Sequence, residues 1–143
     1  SRLLSPGRSE KPEGLGTLLG QVRRQRGAMA TAAAEAAAAV SSMKGTGRAF
    51  FETNLVAQQR ILLGLLRWLE AGIHAAEAQS GAEALKQVRA ALDGMKEVRA
   101  GQALAARGVW KDWYRGDRKM NLDRAEALTR QLLGQLQEED PSL

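Results

Sequence analysis

The chain has 143 residues, no cysteine and only 4% aromatic residues, and much of its 44% hydrophobic content is alanine. That length fits one domain with tails, and the missing cysteines exclude a disulfide framework, thiolate zinc sites and cysteine nucleophiles. The net charge of +5 is unevenly placed: residues 1–48 hold eight Lys/Arg against three Asp/Glu, while residues 49–143 hold thirteen of each.

The basicity therefore belongs to an N-terminal arm, and the remainder is neutral. Strand-favouring residues are sparse and no run alternates polar with apolar over a strand's length. The expected fold is all-α, an antiparallel bundle of three to four helices preceded by a flexible basic arm. The most apolar stretch, Ile61 to Ile73, carries Arg67 and Glu70, so no transmembrane segment is expected. A soluble intracellular protein is the expectation, with no organelle indicated.

In chain order, the arm spans residues 1–27. Its first fourteen residues contain two prolines, two glycines and three serines, too polar a mixture to offset the entropy of ordering. Its acid-poor, Arg-containing start is also what a processed targeting region or a fragment of a longer chain would show, although no amphipathic stripe accompanies it. Arg23, Arg24 and Arg26 form its electrostatic cluster. They could meet phosphates or anionic headgroups, but no aromatic side chain is interleaved for base stacking.

A first helix is expected over 28–42, from alanine's high propensity alone. It should end at the Ser41, Ser42, Gly45, Gly47 cluster. The strongest periodicity covers 48–78, where Phe51, Leu55, Leu62, Leu66, Leu69 and Ile73 recur at helical intervals. This stripe, widened by Leu63, Leu65 and Trp68, is read as core-facing, its helix as covered on more than one side and as the centre of the bundle. Ser80 and Glu83 then match a capping box opening a helix over 81–107 with the stripe Leu85, Val88, Leu92, Met95 and Val98. The short link makes the pair an antiparallel hairpin, and Gly108 is placed to stop the second helix. A last helix over 122–138 carries Leu122, Ala125, Leu128, Leu132 and Leu136, with Asn121 as its candidate N-cap.

Between Gly108 and Asn121 lies the segment richest in unusual chemistry. Trp110, Trp113, Tyr114, Arg115 and Asp117 together offer aromatic planes, planar donors and a carboxylate, as a glycan, a base or a protein partner would require. The plainer reading is that the tryptophans plug an end of the bundle. Arg115-Gly116-Asp117 spells an adhesion tripeptide, expected to be a chance match without other signs of secretion. His74 is the sole histidine, and Glu70 and Glu77 flank it one turn away on a single helix, an arrangement read as a charged stripe because bundle metal sites draw ligands from several helices.

The chain has no phosphate-cradling loop, nucleophile elbow or zinc-protease motif, so no cofactor and no catalytic residue is assigned. The leading expectation is a non-catalytic helical interaction protein, a structural subunit with a protein partner. Two alternatives come from other classes. One is a ligand-binding or catalytic domain related to a carbohydrate-active enzyme, using the Trp110–Asp117 loop. The other is a nucleic-acid-associated protein acting through the basic arm.

Overall fold

The computed structural model describes residues 14–108, 111 and 121–139, and among them there is no strand. The elements are α1 (Leu15–Ser42), α2 (Gly45–Phe51), a π turn (Glu52–Val56), α3 (Ala57–Glu77), α4 (Gly81–Ala105) and α5 (Leu122–Glu139). Backbone angles stay helical from Phe51 through Ala57, so α2, the π turn and α3 form one rod. The architecture is an all-α bundle of four rods.

Local chemistry explains most of the boundaries. Met43 and Lys44 are extended and Gly45 takes φ +66, a turn that glycine makes without a Cβ clash. The capping box at α4 forms with one shift: the Glu83 N–H donates to Ser80 Oγ at 3.2 Å, but the Glu83 carboxylate accepts from the N–H of Gln79 at 3.0 Å. Gly108 has φ +55 just beyond α4, which ends two residues before the sequence-based boundary. Asn121 precedes α5 and its carbonyl accepts from Ala125 N–H at 3.0 Å. Its backbone is left-handed at φ 47, unlike the extended backbone of an ordinary N-cap. In the π turn the Asn54 amide donates to Phe50 O at 2.8 Å.

Residues 15–27 correct the sequence-based boundary of the arm, because they are the first half of α1. Leu15, Leu19 and Val22 follow helical spacing, and Val22 is buried. Arg23 and Arg26 both reach Glu70 on α3, at 3.1 and 2.6 Å. These contacts offset the cost of ordering a segment rich in glycine and charge. The rest of the arm, residues 1–13, lies outside the described residues.

The centre of the molecule is the α3–α4 hairpin, and its seam consists of small residues. A Cβ on Gly64 would stand 2.7 Å from the Gly94 carbonyl oxygen, and one on Gly94 would stand 2.8 Å from the Gly64 carbonyl oxygen. A Cβ on Gly101 would meet Ile61 Cγ1 at 2.7 Å and Ala57 O at 2.9 Å. The two backbones are thus in direct contact, with Ala57, Ala71, Ala84, Ala91 and Ala105 buried along the same seam. This corrects the expected orientation of α3 in part: Leu65 and Ile73 are buried as expected, but the leucines at 55, 62 and 69 are not. Its buried face is Ala57, Ile61, Gly64, Leu65, Ala71 and Ile73, whereas Leu55, Leu62 and Leu69, read as core, are 40%, 46% and 37% exposed. The stripe on α4 lies as expected, with Leu85, Val88, Leu92, Met95 and Val98 all buried.

α1 packs on α3, and α5 packs on α4. Leu122 joins Ile61, Leu65, Met95 and Val98 in one core cluster, and Leu136 joins Ala84, Leu85 and Val88 in another. α5 therefore runs antiparallel to α4. The pair is fastened by Arg99, which donates to Asp123 at 2.6 Å and to Glu126 at 3.0 Å, while Arg130 donates to Glu126 at 2.8 Å. Burial works against the Arg99 charge, but the hydrogen bonds to Asp123 and Glu126 outweigh it and hold its pKa above the ordinary value. The hydrogen bond from Arg130, supported by Arg99 and opposed by burial, holds the Glu126 carboxyl below the ordinary glutamate value.

A depressed folded-state pKa gives stability that is fully present above the unfolded value and is lost as pH falls through the folded one. The stability that Glu126 provides should thus fade below about pH 4.3, the unperturbed glutamate value. Glu126→Gln should lower stability at neutral pH and flatten the acid limb of the unfolding profile, measured by circular dichroism against pH. An unchanged acid limb would mean that the pairing carries no net stability.

No helix among the described residues is long and apolar enough to cross a membrane.

Candidate apolar cleft

With α1 on one flank of α3 and α5 on the other, no described residue covers the face of α3 between them. The uncovered face forms two open grooves that meet at Trp68 and Ala125. One, of about 770 Å³, has Leu62, Leu66 and Leu69 as its floor and Gln25, Ala28, Met29 and Ala32 of α1 as a wall. The other, of about 560 Å³, runs between α5 and the α3–α4 hairpin past Gly72, Ala76, Val88, Leu128 and Leu132. Leu128, expected in the core, is 54% exposed at this edge. Trp68 separates the grooves, and its Nε1–H donates to Thr129 Oγ1 at 3.1 Å, while that hydroxyl donates to the Ala125 carbonyl at 2.8 Å. The indole is thereby fixed upright with its polar edge satisfied.

Among the described residues that line the cleft only Arg124 is charged, and none of these is a carboxylate or a histidine. An apolar opening of this size, rimmed by polar helix faces, is characteristic of a binding site.

The sequence-predicted sites divide into two groups. Trp110, Trp113, Tyr114, Arg115 and Asp117 lie outside the described residues. Lys111 of the same stretch is exposed, and its N–H donates to Gly108 O at 3.2 Å. The arm arginines are on α1. Arg23 and Arg26 share the single negative charge of Glu70, and the Arg23 guanidinium also donates to His74 Nε2 at 3.1 Å, which places the imidazole proton on Nδ1. Arg26 Nε lies off the line of a hydrogen bond to Glu70 despite its short approach. Arg24 is exposed and carries no ion pair among the described residues. The Glu70 carboxylate is thus occupied by two guanidinium groups.

Sequence reasoning missed the cleft because it assigned Leu62 and Leu69 to the core. One signal was present: Leu55, Leu62 and Leu69 recur every seven residues, a period that suits a helix packing against another helix. No protein-family model, curated protein or solved structure matches the chain.

Proposed function

We propose that this chain is a non-catalytic helical interaction protein, a structural subunit whose contact surface is the cleft over α3 between α1 and α5. The observation that carries this reading is the uncovered leucine stripe, with Leu62 46% and Leu69 37% exposed in an otherwise well-packed helix. A bundle that exposes such side chains in a walled groove forgoes the remaining part of their burial, about 1 kcal/mol each at these exposures, until something covers them. The groove's helical walls and helical spacing fit a helix from a partner protein.

The test is site-specific photocrosslinking in cells with the full chain. A photoreactive amino acid at position 62 or 69 should yield a discrete crosslinked product. The same group at position 86 or 89, on the exposed outer face of α4, should not. Equal yields from both faces, or none from the cleft, would remove the proposal.

A further inference from the structure

The cleft has a charge pattern as well as an apolar floor, and that pattern restricts what can enter. Arg124 lines the groove on the α5 side. Arg24 is one turn before Ala28 on α1, so it shares the helix face that forms the opposite wall. Both arginines are exposed, and neither makes an ion pair among the described residues. Both stand near the middle of the cleft, because Arg23, next to Arg24, pairs with Glu70, and Ala125, next to Arg124, packs with the cluster that includes Trp68. The exposed acid on that α1 face, Glu35, is about three turns farther along and away from both arginines.

Resting on the reading of the cleft as a helix-docking site, we infer that its occupant is an amphipathic helix of a partner protein, with leucines at seven-residue spacing and acidic residues flanking the stripe near its middle. The seven-residue period of Leu55, Leu62 and Leu69 selects a helix, since knobs set at that interval find holes only on another helix. From Leu62 to Ala76 the floor is about 21 Å long at 1.5 Å per residue, enough for four turns. Gly72 has open space where a Cβ would be, so the docked helix can approach closely next to the arginines. A second copy of this chain fits less well, because its own cleft would bring the same two arginines against Arg24 and Arg124. Two unpaired cations on opposite walls favour carboxylates between them and disfavour lysines.

Three synthetic helical peptides of about 18 residues test this with the full-length protein, by titration under fluorescence anisotropy. One has a leucine stripe flanked by glutamates, one has the same stripe flanked by lysines, and one is a scramble of the first. The glutamate peptide should bind about three- to tenfold more tightly than the lysine peptide at low salt, the range expected of two solvent-exposed charge pairs. The preference should shrink in about 0.5 M salt, where screening is strong. In the Arg24→Glu, Arg124→Glu double variant it should invert, and Leu69→Asp should abolish binding of both peptides. All these positions are exposed, and far-ultraviolet circular dichroism checks that each variant stays folded.

Equal binding of the two charged peptides, or a lysine preference, overturns the charge inference and leaves the docking site standing. Binding of neither peptide, or of the scramble equally well, overturns the docking reading together with it. Sedimentation that shows a dimer dissociated by Leu69→Asp names a second copy as the occupant. Peptide binding that appears only after residues 109–120 are replaced by a Gly/Ser linker names the chain's own segment, and either result overturns the inference.

Discussion

Gly94→Ala is expected to destabilise the protein by about 2–4 kcal/mol, at the upper end of what one added methyl group does in a packed interior. The new Cβ would stand 2.8 Å from the Gly64 carbonyl oxygen and 2.8 Å from the Trp68 backbone nitrogen. Backbone atoms cannot rotate away as a side-chain end can, so α3 and α4 would have to separate along their whole seam. That separation would loosen the alanines buried on both sides of it and the cluster of Ile61, Leu65, Met95 and Val98. A thermal midpoint lower by roughly 5–15 °C follows for a domain of this size. Gly64→Ala should behave alike, since its Cβ would meet Gly94 O at 2.7 Å.

The control has the opposite sign. Gly72 and Gly134 are also in helix interiors, but a Cβ at either meets nothing within 4 Å. Alanine there should stabilise by about 0.5–1 kcal/mol through helix propensity and reduced unfolded-state entropy. Thermal unfolding of the four single variants checks the scheme. If Gly94→Ala matched Gly72→Ala, the close hairpin seam would be wrong.

That seam also shows where sequence reasoning stops. The hairpin and the capping box at Ser80 were legible because each depends on residues within a few positions of one another. α4 was read correctly because its large side chains and its buried face coincide. On α3 they do not. Ala57, Gly64 and Ala71 recur every seven residues and face α4, which carries Ala84, Ala91, Val98 and Ala105 at the same interval. Weighting residues by hydrophobic size selects the leucines and discards this second stripe, although close backbone approach rewards small residues more than large ones at a contact. Once the small face is taken up by α4, the leucines must point elsewhere, and the cleft is the consequence. The first half of α1 was hidden for another reason. Its charges suggested an arm, and only the distant Glu70 turns two of those arginines into helix contacts. A pairing 47 residues apart leaves no local pattern.

Glu70→Lys should release α1 while the rest of the bundle stays folded. Over its 28 residues α1 buries only Val22 and Ala36 completely, and alanine-rich helices of that kind are marginal without tertiary contacts. Its attachment therefore leans on Glu70, whose side chain is 15% exposed between Arg23 and Arg26. Removing the charge with Glu70→Gln should weaken the attachment by about 1–2 kcal/mol, as for charged hydrogen bonds at a half-buried site. Lysine adds repulsion among three cations and should cost more.

Hydrogen exchange reads this directly, because local opening is measured separately from global unfolding. Amides of α1 should exchange faster than those of α4 in the unaltered protein. In Glu70→Gln the α1 rates should rise by roughly tenfold, since 1.4 kcal/mol corresponds to a factor of ten, and in Glu70→Lys by more, with α4 unchanged. Rates that rose equally in α1 and α4 would instead make α1 an inseparable part of the core. Since α1 supplies one wall of the cleft, its release also removes that wall, so the same variant should lose affinity for a docked helix even though Leu62 and Leu69 remain in place.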